Sequence, residues 1–163
     1  SKESNFIDKH LKSIFFNYKK KKYFDEIFPK IKNIFEKKHD LLVDLNYELI
    51  NFFCNYLNIN SKFIKSSTLD TSKKKDELIL EILEKLKSKN YYSPTGSANY
   101  LVKNKKFIKQ KINIFFQEHE CRKYNQSSEG FIGHLSTLDL IMNEGPKSKK
   151  IILSGRKFKK YDF

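Results

Sequence analysis

Hydrophobic residues recur every three to four positions through the first third of the chain. One set runs from Phe24 to Phe35 and a second from Leu42 to Leu57, with polar residues between the apolar ones. This period places apolar side chains on one face of a helix, so residues 7–57 are predicted to be helical throughout. Pro29 is expected to break or restart the first of these helices, because proline lacks the N–H that a helix interior requires.

From residue 61 the pattern changes to short apolar runs that alternate with amphipathic segments. Strands are predicted at KFIKSS (62–67), NYYS (90–93) and INIFF (112–116), and helices at KKKDELILEILEKLKS (73–88) and, with a weaker pattern, NYLVKNKKFIKQ (99–110). Strands that alternate with helices pair in parallel through crossover connections. The predicted fold class is therefore α/β, with an N-terminal helical part followed by a small parallel sheet with crossover helices.

Length and composition favour a single domain over residues 1–163. The chain has 163 residues, of which 39% are hydrophobic. This is enough for one core and too little for two comfortable ones. We expect a helical part at 7–57, an α/β part at 61–153 and a basic tail at 154–163.

A short helix with clear ends is predicted near the C-terminus. Ser136 and Asp139 resemble a capping box with Asp in place of Glu, and Gly145-Pro146 ends the helix. Asp139 and Asn143 are four residues apart and share a helix face. They could both point at a ligand, or serve only capping and solvation.

Polar clusters follow the predicted strands. Ligands of open parallel sheets bind beyond the carboxyl ends of the strands, so Ser66 and Ser67, the stretch 93–97, and the stretch 117–119 are expected to share one edge. In YYSPTGSANYL, Gly96 allows a positive φ or a close approach to a ligand, and Ser97 is a candidate N-cap. The free N–H groups of such a helix start could bind phosphate, although an ordinary turn fits the same residues.

The charge balance invites a nucleic-acid interpretation but does not establish it. The formal net charge is +14, yet Arg122 and Arg156 are the only arginines, and base readout favours the guanidinium fork over lysine. The run Lys19 to Lys22 fits a solvated helix end as well as a phosphate contact. Abundant Asn, Ile, Phe and Tyr suggest A+T-rich codons as one source of the lysine. Nucleic acid is therefore not the expected partner.

Metal, disulfide and membrane classes find no support in the sequence. The four histidines have no metal-binding spacing, and Cys54 and Cys121 are far apart, so no metal, cofactor or disulfide framework is expected. No apolar run approaches the roughly 20 residues of a membrane span, and no signal-peptide core is visible. A cytoplasmic protein is expected.

Six stretches, in order, resemble the WbqC-like protein family from about residue 8 to about residue 150. They are HLKSIFFNYKKKKYFDEIFPKI, LLVDLNYELINFFCNYL, SKFIKSSTLD, YYSPTGSANYL, INIFFQ, and KYNQ followed by FIGHLSTLDLIMNEGP. The L-S-x-x-D-L-x-x-N-x-G-P pattern is the most specific. This sequence departs from the family at Pro94-Thr95 before Gly96 and at Gly133-His134 before Leu135.

The resemblance implies a role in bacterial surface-polysaccharide (O-antigen) biosynthesis. The implied activity is transfer of an amino-acyl group, such as glycyl, to the amine of a nucleotide-linked amino sugar. It also implies a larger nucleotide-binding-like α/β fold, whose N-terminal segment is missing here, so a truncated member is expected. The polar site it implies comprises His10, Ser66, Ser67, Ser93, Gly96, Tyr100, Tyr124, Gln126, Ser136, Asp139 and Asn143.

The resulting hypothesis is a nucleotide-sugar N-acyltransferase. Its partners would be a nucleotide-linked amino sugar and an activated acyl donor, with Asp139 or His10 as the base. The N–H groups of Gly96 and Ser97 would bind phosphate or the oxyanion, because N-acylation needs both a base and oxyanion donors. Two alternatives stay open: a basic nucleic-acid-binding domain and a non-catalytic component of a polysaccharide biosynthesis complex.

Overall fold

The computed structural model describes the chain at residues 2–101, 103–126 and 130–161, with side chains from residue 6 and without those of 99–100. It divides into two compact units. The helical unit comprises residues 1–61 and 121–154, and the sheet unit comprises residues 62–120 and 155–163. The expectation of one domain stays a prediction.

The helices and strands follow in chain order. The helices are α1 (Lys2–Tyr18), α2 (Phe24–Glu36), α3 (Leu42–Tyr56), α4 (Lys75–Lys85), α5 (Ala98–Leu101), α6 (Lys105–Lys109), α7 (Thr137–Glu144) and α8 (Ser148–Ser154). The strands are β1 (Asn90–Pro94), β2 (Asn113–His119) and β3 (Arg156–Tyr161). In the described ranges, no helix has the length and apolarity to cross a bilayer.

Three of the helices confirm the predicted helical part, but the expectation for Pro29 was wrong. Helix α2 continues through Pro29, which costs about 3 kcal/mol because one backbone hydrogen bond is lost and the ring crowds the preceding turn. The helix buries one apolar face, and each fully buried side chain of this kind contributes about 1.5–3 kcal/mol, so burial outweighs that cost. The buried residues are Phe24, Ile27, Ile31, Ile34 and Phe35.

Helix α7 packs into the same core. Ile141 and Met142 have no exposed surface and belong to the apolar cluster formed with α1, α2 and α3. The backbone N–H of Tyr23 also donates to the carbonyl oxygen of Met142 at 3.2 Å. The core therefore fixes the position and rotation of α7, and with them the direction of its polar side chains.

The sheet unit confirms the α/β class and corrects its details. Strand β1 pairs in parallel with β2, as predicted, but β3 pairs antiparallel with the other edge of β2, so the sheet is mixed. The segment that forms β3 lies within the stretch 154–163, which is expected from the sequence to be a basic tail. Its sequence RKFKKY lacks apolar alternation, and such lysine-rich strands are typical of sheet edges.

The segment KFIKSS is not a strand. Residues 62–65 pair with no described strand, and Ser66–Thr68 form a 3₁₀ turn. Phe63 and Ile64 are 39% and 41% exposed, so the run does not bury the apolar surface that suggested a strand. The carbonyl oxygen of Lys65 instead accepts from the N–H and the hydroxyl of Thr68, which closes the turn locally.

The weaker helix predicted at 99–110 is two short helices, α5 and α6. The side chain of Asn104 interrupts it, because its oxygen accepts from the N–H of Lys106 at 3.0 Å and starts α6 as an N-cap. One face of the sheet, with Ile114 and Phe116, packs against Leu101 and Phe107 from these helices. The opposite face remains accessible.

Candidate functional site

The candidate site is centred on Asp139, in the first turn of α7. Ser136 caps this helix, since its Oγ accepts from the N–H of Leu138 at 3.2 Å, and Gly145 ends it at a φ of 53°. The predicted short helix is confirmed. The Asp139 carboxylate, however, turns towards other side chains: its Oδ2 accepts from Tyr124 Oη at 2.7 Å and from Gln126 Nε2 at 3.1 Å.

Tyr18, at the end of α1, lies beside this carboxylate, and burial and the charge of the carboxylate raise the pKa of the Tyr18 phenol. Asp139 is only 6% exposed, so its hydrogen bonds replace most of its hydration. The two donors, Tyr124 and Gln126, are uncharged. A carboxylate accepts about four hydrogen bonds, so the donors among the described residues leave acceptor positions for a further group.

The carboxylate and the two tyrosines influence one another. Burial, followed by the charge of Asp139 and the hydrogen bond to it, raises the pKa of Tyr18 to about 12. Burial and the hydrogen bond to Asp139 also raise the pKa of Tyr124 well above its ordinary value. Both phenols therefore keep their protons at neutral pH and act as donors.

Gln126 connects the carboxylate to the loop before α7. Its Nε2 donates to the carbonyl oxygen of Ile132 at 3.0 Å, and its Oε1 accepts from the N–H of Ile132 at 2.8 Å. In the same loop His134 adopts a φ of 59°, and its N–H donates to Cys121 Sγ at 3.2 Å. The Gln126 side chain thus holds both this loop and the Asp139 carboxylate.

Asp139 lines a cleft of about 580 Å³ in the helical unit. The lining includes Gln126 and Tyr18 from the carboxylate cluster and the lysines of the run that follows α1. No acidic partner is found for Lys20 or Lys21 within the described residues. Three lysines and one aspartate among the lining residues give the cleft a net positive charge. Its full lining is Phe16, Asn17, Tyr18, Lys19, Lys20, Lys21, Gln126, Leu135 and Asp139.

Tyr18 is a residue of the candidate site that the sequence did not indicate. It occupies the last position of α1, directly before the lysine run and shortly after the exposed rings of Phe15 and Phe16. The only available signal was a hydroxyl-bearing ring at the junction of an apolar helix face and a charged run. Its partner Asp139 lies in a distant part of the sequence, so only the fold brings the two together.

Of the predicted residues in the helical unit, four accompany Asp139 and one does not. Asn143 Nδ2 donates to the carbonyl oxygen of Asp139 at 2.7 Å, which is an intrahelical contact. His10 lies on an exposed part of α1, where its Nδ1 is 3.0 Å from the carbonyl oxygen of Phe6. Eight residues of helix separate it from Tyr18, which is about 12 Å along the axis. The four are Tyr124, Gln126, Ser136 and Asn143.

The remaining predicted residues belong to the sheet unit. Ser93 and Ser97 are buried, their Oγ atoms are 2.5 Å apart, and Ser97 Oγ donates to the carbonyl oxygen of Pro94 at 2.7 Å. Gly96 is exposed and does not take the positive φ that its residue type allowed. Ser66 and Ser67 are exposed on their 3₁₀ turn. The side chain of Tyr100 lies outside the described residues.

Metal binding has no candidate cluster in the described ranges. No group of three or more His, Cys, Asp or Glu side chains is placed to hold an ion there. The site as described therefore consists of hydrogen-bonding and cationic groups.

Comparison with known proteins places these residues in a family. The sequence matches the WbqC-like protein family over residues 1–151. The uncharacterized protein Rv1507c of Mycobacterium tuberculosis (strain ATCC 25618 / H37Rv) is 28% identical over 141 residues, which are 85% of this chain and 61% of that relative. The chain thus spans about three fifths of the length of this relative. No solved structure matches the chain. The family match includes the Asp139 cluster and both units up to residue 151, which leaves out β3, and it covers well over half of the sequence, so the chain belongs to the WbqC-like protein family.

Proposed function

We propose that this WbqC-like protein transfers an amino-acyl group to the amine of a nucleotide-linked amino sugar in bacterial surface-polysaccharide biosynthesis. The observation that carries the proposal is the Asp139 carboxylate, which is buried, oriented by uncharged donors and open to a lysine-lined cleft. A sugar amine and a phosphate group are the two parts of such a substrate that these side chains complement.

The carboxylate suits the amine. N-acylation requires the unprotonated amine nitrogen to attack the acyl carbonyl carbon, which forms the C–N bond and expels the leaving group with its bonding electrons. The nitrogen then loses a proton, and Asp139 is the acceptor. Tyr124 and Gln126 hold the carboxylate in one orientation, and its remaining acceptor positions orient the amine towards the acyl donor.

The lysines suit the nucleotide. A diphosphate carries about two negative charges, which matches the excess of lysine over carboxylate in the cleft. Lysine acts on phosphate as a mobile point charge, so this arrangement gives attraction without a rigid grip. The backbone end of α1 disfavours an anion slightly, by about 0.3–1 kcal/mol, and three ammonium groups outweigh that effect.

Asp139 is a better candidate base than His10. The His10 ring bonds to its own helix and stacks against Phe6 and Phe35, and it lies about two turns from the cleft residue Tyr18. The roles suggested for the sheet-unit residues Ser66, Ser67, Ser93, Gly96, Ser97 and Tyr100 stay predictions.

Thermal-shift titration with matched ligands tests the proposal. We expect UDP- or dTDP-linked amino sugars to stabilise the protein more than the corresponding hydroxy sugars. Saturation at about 100 times the dissociation constant adds about 2.7 kcal/mol. Asp139→Asn should remove the preference for the amine while retaining nucleotide binding, because only the proton acceptor is lost. Lys20→Ala with Lys21→Ala should weaken both ligands.

Lys109→Ala, which changes an exposed lysine of the sheet unit, is the matched control and should bind both ligands as the parent does. The proposal fails if no nucleotide sugar stabilises the protein. It also fails if Asp139→Asn keeps the full preference for the amino sugar.

A further inference from the structure

One face of the sheet carries an unusual set of exposed aromatic rings. Side chains alternate across a sheet, and the pairing register places Tyr92 of β1, Phe115 of β2 and Phe158 of β3 on the same side. This side is opposite the one whose Ile114 and Phe116 pack against helices. We call these three residues, with the polar and charged residues of the same side, the aromatic sheet face.

The rings form a continuous platform across all three strands. Tyr92 stacks on Phe115 with centroids 4.7 Å apart and ring planes 13° apart, and it meets Phe158 edge-on at 5.7 Å. Tyr92 is 56% exposed and Phe158 is 48% exposed. Phe115 supports the ring of Tyr92, while Tyr92 and Phe158 present surface to solvent. Exposed apolar patches of this kind mark binding surfaces.

The charge of the aromatic sheet face has one sign. Arg156 and Lys160 alternate with Phe158 along β3, and the Arg156 guanidinium lies 5.0 Å from the Phe158 ring centroid. None of the residues that the three strands place on this side is an aspartate or a glutamate. On the other side of β3, by contrast, Lys157 pairs with Glu120 at 3.0 Å. A ligand for this face should therefore combine flat rings with negative charge.

We infer that the aromatic sheet face binds single-stranded nucleic acid. Unpaired bases stack on exposed aromatic rings, and phosphates pair with neighbouring arginine and lysine side chains. Bases would stack on Tyr92 and Phe158, and phosphates would contact Arg156 and Lys160. Duplexes hide their base faces, so they do not use the rings. A neutral glycan would use the rings but not the cations. This inference involves the sheet unit alone and is independent of the proposed function.

Fluorescence anisotropy with a labelled oligothymidylate tests this inference. An oligonucleotide of about 16 nucleotides is long enough to span one such binding surface. We expect Tyr92→Leu and Phe158→Leu each to weaken binding at least about fivefold, because each removes a stacking ring. Tyr92→Phe should restore parent affinity. With two phosphate contacts, raising salt from about 50 to about 200 mM should weaken binding about sevenfold.

Lys159→Ala and Lys160→Ala form a matched pair of equal charge on opposite sides of β3. Only Lys160→Ala should weaken binding, and circular dichroism of each variant establishes that it is folded. The inference is overturned if the oligonucleotide does not bind at about 50 mM salt, or if the Leu variants bind it as the parent does. Two further results would overturn the inference. One is tighter binding of a neutral oligosaccharide with an affinity that does not depend on salt, and the other is burial of this face by self-association.

Discussion

Two tyrosine hydroxyls in the helical unit have opposite hydrogen-bonding environments. Tyr124 donates to the buried Asp139 carboxylate, whereas the Tyr56 hydroxyl oxygen is buried with no hydrogen-bond partner in the described part of the chain. Burial and the charge of Glu26 raise the pKa of Tyr56 to about 12. A hydroxyl that satisfies a buried charge and one that is itself unsatisfied contribute to stability with opposite signs.

We therefore expect Tyr124→Phe and Tyr56→Phe to have different effects. Tyr124→Phe should lower the free energy of unfolding by about 1–3 kcal/mol, because it leaves a buried carboxylate with one donor fewer. Tyr56→Phe should leave it unchanged or raise it by up to about 1 kcal/mol, because it removes a desolvated group without a partner. Urea denaturation at neutral pH measures both. Equal losses in the two variants would contradict the assigned hydrogen bonds.

The resemblance to the family implies part of the candidate site. It groups Tyr124, Gln126 and Asp139, and the structure places their side chains in one hydrogen-bonded cluster. The apparent capping box suggested a local role for Asp139, but burial of α7 directs its carboxylate to Tyr124 and Gln126 instead. Tyr18 was missed because no local pattern marks a residue whose partner comes from a distant helix.

At the scale of the element, Gly145 and Gly96 differ in what their positions require. Gly145 ends α7 with a φ of 53°, and a Cβ there would overlap the ring of Tyr23. Gly96 has no positive φ, and a Cβ there would meet nothing within 4 Å. At Gly145 both the backbone conformation and the available space require glycine, whereas at Gly96 neither does.

Gly145→Ala should therefore destabilise the protein by at least about 2 kcal/mol, because backbone strain and overpacking each cost about 1–3 kcal/mol. Gly96→Ala is the matched control and should be neutral or stabilising by up to about 1 kcal/mol, since it restricts only the unfolded chain. Thermal unfolding of the two variants checks this. A loss at Gly96 as large as that at Gly145 would show that the φ assignments are wrong.

The elements that could be predicted are those whose own sequence carries the signal. Helices α2 and α4 have apolar residues at helical spacing, and β1 and β2 are short apolar runs. Strand β3 could not be predicted, because its lysine-rich sequence lacks the alternation of apolar and polar residues that marks a strand. It is a strand because it pairs with β2. The run KFIKSS failed for the converse reason, since a strand-like sequence finds no partner strand in the described fold.

At the scale of the whole molecule, the net charge of +14 matters less than where charges meet other groups. The lysines of the Asp139 cleft lie beside a carboxylate and a hydroxyl cluster, and those of β3 lie beside exposed rings. Elsewhere, lysines form exposed pairs such as Lys30–Glu26, which contribute little to stability. Two local groupings therefore suggest functions that the total charge alone could not.

The raised tyrosine pKa values predict how global stability depends on alkaline pH. The ordinary pKa of Tyr18 is 10.0, and in the folded protein it rises to about 12 because of burial and Asp139. Between these values the folded state holds a proton that the unfolded state has released. The free energy of unfolding must then decrease as pH rises from about 10 to about 12, and the contribution is fully present below pH 10.

Tyr18→Phe should flatten this decrease, because phenylalanine has no proton to lose. Lysines also lose their protons in this pH range, and they do so equally in parent and variant. The quantity to compare is therefore the difference in unfolding free energy between parent and variant at each pH, because the effect of the lysines cancels in it. We expect that difference to shift in favour of the variant from pH 10 to pH 12 in urea denaturation. Parallel curves would show that the Tyr18 phenol is not held protonated beside Asp139. The same curves should be repeated with a nucleotide sugar bound in the cleft, where added phosphate charge near Tyr18 should raise its pKa further and extend the parent's decrease to higher pH.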